Sequence, residues 1–383
     1  MSLAGLPLRE DLRGLTAYGA PQLDVAVRLN TNENTHDVPA EVVEAVVAAV
    51  AAVAGTLNRY PDRDAVALRA ALAEYVGRKG GAGIATEHVW AANGSNEILQ
   101  QLMLAFGGPG RRALGFVPSY SMHEIIARVT GTGWLAGART GEDYDLDAAS
   151  AAAQVRAHAP DLVFLCSPNN PTGTALDPSV VAAVLAAAPG AVIVVDEAYA
   201  EFARPGSVSA VHLLPRSPLL VVTRTMSKAF AFAGARLGYL VADGAVVEAM
   251  QLVRLPYHLS TLTQAAAVAA LRHAHTLLGT VADIIEQRDR LCDHATALGF
   301  HPVPSDANFV LIGGFTDAAA AWRELLRRGV LVRDVGLAGH LRVTAGTAAE
   351  TDAFLAALAQ LLPEPGAGSA ALPGRARERE VRA

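Results

Sequence analysis

Three apolar runs, each ending in a polar island, constrain this chain more than any other feature. LVFLC (162–166) runs into SPNNPTG, AVIVV (191–195) into DEAYAEF, and LLVV (219–222) into TRTMSKAF. Apolar runs of four or five residues without polar alternation read as strands buried on both faces, hence a parallel sheet between helices. In open sheets of that kind, ligands bind outside the carboxyl ends of the strands. The islands stand at those ends, which makes Asn169, Asn170, Asp196, Tyr199, Ser227 and Lys228 candidate site residues. An ordinary Asn-Pro/Gly turn would account for 169–173 taken alone. Three islands of this form in succession are hard to assign to turns.

The third island carries the sharpest chemistry. Lysine is costly to bury unless it is paired or covalently used. Lys228, flanked by hydroxyls and followed by Arg236, suits Schiff-base chemistry on a phosphorylated aldehyde.

Bulk properties narrow the class. The chain has 383 residues, 52% hydrophobic and 18% charged, enough for one large core and a second domain. A net charge of −6 without a basic stripe argues against a nucleic-acid surface. Cys166 and Cys292 offer neither a disulfide framework nor a metal spacing, which fits a reducing, cytoplasmic compartment and no bound metal. The start, MSLAGLPLREDLRG, lacks a signal-peptide core, and stretches such as 42–54 are alanine-rich and bounded by charge, against a membrane span.

The pattern along the chain predicts an α/β protein with four parts: an irregular arm (1–35), a large domain (36–260), a smaller α+β domain (261–362) and a disordered tail (363–383). Helices are expected at 40–54, 64–78, 97–106, 180–188, 263–274 and 277–298, and small-domain strands at 309–312 and 341–344.

Further islands complete a pattern. LNTNEN (29–34), NRYPD (58–62), ANGSNE (92–97), PSYSMH (118–123), ARLGY (235–239), VRDV (332–335) and LRVTAGT (341–347) join those above. Together, from about 29 to 362, they resemble the fold type I pyridoxal-phosphate-dependent aminotransferases, and within them the histidinol-phosphate aminotransferases. The resemblance implies a homodimer with shared active sites, using pyridoxal 5'-phosphate. Lys228 would hold the cofactor aldehyde and later carry a proton; Asp196 would keep the ring nitrogen protonated. Tyr199 and Asn170 match donors to the phenolic oxygen, and Tyr120 the aromatic stacked on the ring. Ser95, Asn96, Ser227 and Arg236 match the phosphate ligands. A helix opening at 95–96 suits that role, although an ordinary N-cap would look the same. Tyr60 matches a residue reaching the phosphate of the neighbouring subunit.

For the substrate, the resemblance implies that Arg342 and Arg333 receive its phosphate or the two carboxylates of glutamate. Tyr18 and Asn32 match arm residues that close over it, and Asn170 also faces it. Thr35-His36 replace the family's usual proline after NEN, which is expected to loosen the arm. The implied reaction converts L-histidinol phosphate and 2-oxoglutarate to imidazole-acetol phosphate and L-glutamate, in histidine biosynthesis. An aromatic amino acid aminotransferase on the same scaffold is the alternative, followed by a phospho-amino-acid decarboxylase. A pyridoxal-phosphate-binding regulatory module would need a DNA-binding extension, and neither end is patterned to supply one.

Overall fold

The computed structural model describes residues 6–14, 17–80 and 83–361; the tail expected to be disordered lies outside them. A two-residue strand β1 (Val27–Arg28) and helices α1 (Ala40–Ala54) and α2 (Val66–Arg78) come first. The large sheet is then built by β2 (Val89–Ala92), α3 (Ser95–Phe106), β3 (Arg112–Val117), α4 (Met122–Val129) and β4 (Gly133–Ala138). It continues through α5 (Ala148–His158), β5 (Leu162–Cys166), α6 (Pro178–Ala187), β6 (Val192–Asp196), β7 (Leu220–Thr225) and β8 (Gly238–Ala242). Next come α7 (Gly244–Val253), α8 (Thr261–Arg272), α9 (Ala274–Leu277) and α10 (Val281–Ala297). The remainder is β9 (His301–Pro302), β10 (Phe309–Gly313), α11 (Ala318–Arg327), β11 (Val330–Leu331), β12 (Arg333–Asp334), β13 (Leu341–Thr344) and α12 (Ala348–Ala359).

The large sheet has the order β2-β8-β7-β6-β5-β3-β4, and β8 alone runs antiparallel to its neighbours. Its central strands feed two separate cores, as uninterrupted apolar runs should. Leu162, Phe164, Val194, Val221 and Leu240 face one side with Leu99 and Leu102 of α3 and Met250 of α7. Val163, Leu165, Ile193, Val195 and Val222 face the other with Leu72 of α2, Val155 of α5 and Val184 of α6. Each fully buried side chain of this size contributes about 1.5–3 kcal/mol, so the sheet is a rigid platform for its carboxyl-end loops.

The second sheet, β12-β13-β10-β9, is antiparallel. Helix α8, at the expected start of the small domain, packs against α1 and α2.

Several sequence expectations need correction. The arm is not wholly irregular: β1 pairs in parallel with β11, Val27 opposite Val330 and Arg28 opposite Leu331. The helix expected at 277–298 starts later, as α10 at Val281, because a 3-10 turn (Leu278–Thr280) around Gly279 links it to the short α9. Helix α2 starts at Val66 rather than 64, since Ala65 before it is left-handed, φ +47°, while the Asp62 carboxylate accepts the Val66 N–H at 2.8 Å. Helix α8 starts at Thr261, with the Ser260 hydroxyl capping Thr263 N–H. The Asn34 amide donates to Ala229 O and Thr280 Oγ1 and accepts the His36 N–H.

Candidate active site

At the carboxyl ends of β5, β6 and β7 lies a cavity of about 260 Å³. It is lined by Tyr18, Asn32, Ser95, Asn96, Tyr120, Asn170, Asp196, Tyr199, Ser227, Lys228, Arg236, Arg333 and Arg342. The sequence scatters these residues over more than 300 positions, and the fold gathers them. Tyr60 does not line this cavity: it is 79% exposed and stacks on Tyr257 with ring centroids 4.5 Å apart.

The strands aim the central groups. Asp196 is the last residue of β6, beside Cys166 of β5 and Thr223 of β7 in the parallel register. It is 2% exposed, its Oδ2 lies 3.3 Å from His123 Nε2, and its Oδ1 is buried without a protein partner. A buried carboxylate oxygen left unpaired is costly, which marks a place where a ligand donor or cation belongs. Lys228 Nζ donates to Thr31 O at 3.0 Å. Burial, then the repulsion of Arg342, brings its ammonium down from the usual 10.5 to about 8, with Glu33 pulling upward and Arg236 downward. An amine held this way is available as a nucleophile near neutral pH.

A second cluster suits an anion. Helix α3 opens at Ser95 behind Gly94, whose φ of +84° favours glycine. A Cβ at Gly94 would lie 2.7 Å from Arg236 Nη2, so the glycine lets the guanidinium approach the helix N-terminus. Ser95, Asn96, Ser227 and Arg236 thus surround one end of the cavity with backbone donors, hydroxyls and positive charge. Tyr120 is tied to Asn96 Oδ1 at 3.1 Å and meets the His123 ring edge-on. Burial pushes the Tyr120 and Tyr199 phenols up, so both stay protonated at neutral pH.

At the other end, Arg333 of β12 and Arg342 of β13 are direct cross-strand partners. Like charges placed opposite each other are destabilising unless an anion lies between them. Neither forms an ion pair among the described residues. Arg342 donates to Asn170 Oδ1 at 2.6 Å and Asn30 O at 2.9 Å, while its Nε is buried and unpaired. Burial pulls the Arg342 guanidinium below its ordinary value. Arg333 donates to Gly19 O and lies over the Tyr18 ring, 5.8 Å from its centroid.

Sequence reasoning missed His123, Asn30, Thr31, Thr344 and Asn308. His123, Asn30, Thr31 and Thr344 stood inside quoted motifs without a role; Asn308 acts as a partner of the arm backbone, which leaves no signal in one sequence.

A family model supplies the class. Residues 24–358 match aminotransferase class I and II. The chain belongs to that family, the pyridoxal-phosphate-dependent one to which the motifs pointed. Among its relatives, the histidinol-phosphate aminotransferase of Frankia casuarinae is 62% identical over 94% of this chain and 91% of that protein. The histidinol-phosphate aminotransferase of Mycobacterium avium is 59% identical over 94% and 90%. Among solved structures, the Sinorhizobium meliloti histidinol-phosphate aminotransferase in complex with pyridoxal-5'-phosphate superposes with a TM-score of 0.77 at 26% identity, over 88% of this chain and 91% of that one. Thermus thermophilus aspartate aminotransferase with maleate gives 0.75 at 26% identity, over 88% and 92%. No helix among the described residues is long and apolar enough to cross a membrane.

Proposed function

We propose that this cavity is the active site of an aminotransferase converting L-histidinol phosphate and 2-oxoglutarate to imidazole-acetol phosphate and L-glutamate, the transamination of L-histidine biosynthesis. The Arg333–Arg342 cross-strand pair carries the reading, because two guanidinium groups in the cavity of Lys228, without an ion-pair partner among the described residues, call for a dianionic substrate. The names of the Frankia and Mycobacterium relatives support it.

The residues fit pyridoxal phosphate: an anion cradle, an unpaired buried carboxylate oxygen and a low-pKa lysine share one cavity. Bound there, the cofactor supplies an aldehyde that captures amines and a protonated ring that withdraws electrons. Lys228 would hold the aldehyde and move the proton at the substrate α-carbon. Asp196 would stabilise positive charge at the ring nitrogen, with His123 restraining its other carboxylate oxygen. Tyr199 and Asn170 would serve the phenolic oxygen, and Tyr120 the ring. Ser95, Asn96, Ser227 and Arg236 would hold the phosphate. Tyr18 and the arm close over the substrate that Arg333 and Arg342 grip.

Tyr60 serves the cofactor of a second copy. The exposed apolar group of Tyr60, Tyr257, Leu255 and Leu252 supports a homodimer through this face. The free cysteines, Cys166 buried and Cys292 half-buried, suit the cytoplasm.

Steady-state specificity constants for histidinol phosphate and phenylalanine, each with 2-oxoglutarate, test the substrate. Losing one arm of a charge-assisted contact costs about 2–5 kcal/mol. Histidinol phosphate should therefore be preferred by roughly 30-fold or more, and Arg333→Ala should erase most of that preference. Equal constants in the parent enzyme would reject the phosphate-specific reading in favour of an aromatic aminotransferase.

A further inference from the structure

Asn32 sits in a left-handed backbone conformation, φ +54°, and is only 1% exposed although it borders the cavity. Its groups are committed. The backbone N–H donates to Thr344 Oγ1 at 3.0 Å, and its carbonyl accepts from Asn308 Nδ2 at 3.1 Å. Thr344 is buried, so its hydroxyl proton needs an acceptor, and among the described residues Asn32 Oδ1, at 3.1 Å, is the one it has. This fixes the amide orientation: the NH₂ faces Tyr199, with Nδ2 at 3.1 Å from Oη.

The same logic fixes Asn170. A guanidinium only donates, so Arg342 Nη1 at 2.6 Å identifies the Asn170 oxygen, and the Asn170 NH₂ faces Tyr199 Oη at 3.3 Å. The Tyr199 oxygen therefore accepts two hydrogen bonds. Its own proton has no protein acceptor among the described residues. Phe309 holds the Tyr199 ring edge-on at 5.1 Å. The charged and titratable groups that act on the phenol are Arg342, Cys166, Asp196 and Tyr120, and burial keeps it protonated.

We propose that Asn32 is a positioning residue rather than a substrate contact: with Asn170 it fills both acceptor sites of the Tyr199 oxygen, making the phenol a dedicated donor toward the phenolic oxygen of the bound cofactor. Thr344 and Arg342, which orient the two amides, lie two residues apart on β13. The small-domain sheet therefore sets the direction of the Tyr199 proton.

The inference rests on the pyridoxal-phosphate reading, so the test uses the cofactor-loaded protein and the pH midpoint of its visible absorbance. Glycine keeps the left-handed backbone and removes only the side chain. Asn32→Gly should raise the midpoint by about half a pH unit, as a weakened donor leaves the phenolic oxygen more basic. Asn32→Asp should raise it further, toward the value of Tyr199→Phe, because a carboxylate diverts the Tyr199 proton to itself. Thr344→Val should act in the same direction as Asn32→Gly. In a Tyr199→Phe background, Asn32→Gly should add nothing. An unchanged midpoint in Asn32→Gly, or an equal shift with and without the Tyr199 hydroxyl, would overturn the proposal. A parent protein that binds pyridoxal phosphate without any visible band would instead reject the cofactor reading itself.

Discussion

Lys228 and Asp196 show how far single residues are prepared before any ligand arrives. The Lys228 ammonium is desolvated and crowded by Arg342 and Arg236, which lowers its pKa from 10.5 to about 8. In protein stripped of cofactor, acylation of Lys228 by a pH-jump series read by mass spectrometry should be half-maximal near pH 8. A midpoint near 10.5 would show that burial does not activate it. The linkage has a definite sign. Between about pH 8 and 10.5 the unfolded chain binds the proton that the folded amine has lost, so this group makes the cofactor-free protein more stable as pH rises through that window. Asp196 works differently. Its unpaired Oδ1 keeps an acceptor ready, while His123, packed on Phe164 at 5.0 Å between ring centroids, restrains Oδ2.

Between elements, close backbone approach shapes the anion cradle. Gly238 opens β8 directly against the first turn of α3. A Cβ there would meet Ser95 N at 2.2 Å and Gly94 C at 2.4 Å, both backbone atoms with little room to yield. Gly238→Ala should therefore displace the N-terminus of α3, lower stability by about 1–3 kcal/mol and weaken cofactor binding. Thermal unfolding with and without pyridoxal phosphate measures both effects. A variant as stable as the parent and equally stabilised by the cofactor would show that α3 does not depend on this contact. On the other side of the cavity, β12 and β13 set the spacing of Arg333 and Arg342 through one ladder position. The spacing of the two guanidinium groups is thus a property of sheet register.

At the scale of the whole molecule, Tyr60 tests the proposed dimer. The residue is 79% exposed and stacks on Tyr257, far from the usual place of a large aromatic side chain. In a dimer with shared sites, Lys228→Ala disables a chain's own site, whereas Tyr60→Phe weakens its partner's by one charged hydrogen bond, about 1.5–3 kcal/mol. Subunit exchange between the two variants should produce heterodimers with one intact site, and activity should exceed the mean of the parents. If exchange is complete by mass spectrometry and activity only averages, Tyr60 acts within its own chain or not at all.

The chemistry-bearing residues at strand ends were legible in one sequence, because a strand buried on both faces must be apolar throughout and its polar residues mark where it ends. Asn170, Asp196, Ser227 and Lys228 stand out on that ground alone, and the motif set around them pointed to the family and its cofactor. Helix starts were legible only roughly, since the start of α2 depends on the left-handed turn at Ala65, which no local apolar pattern marks. Four features needed the tertiary structure. They are the pairing of Arg333 with Arg342, the contact of His123 with Asp196, the grip of Thr344 on Asn32, and the strand that ties the arm to β11. Each joins residues on separate elements through sheet register or helix packing. Local sequence fixes which side chain a position carries and which way a strand alternates. Which distant group it meets follows only from how the buried faces close on one another.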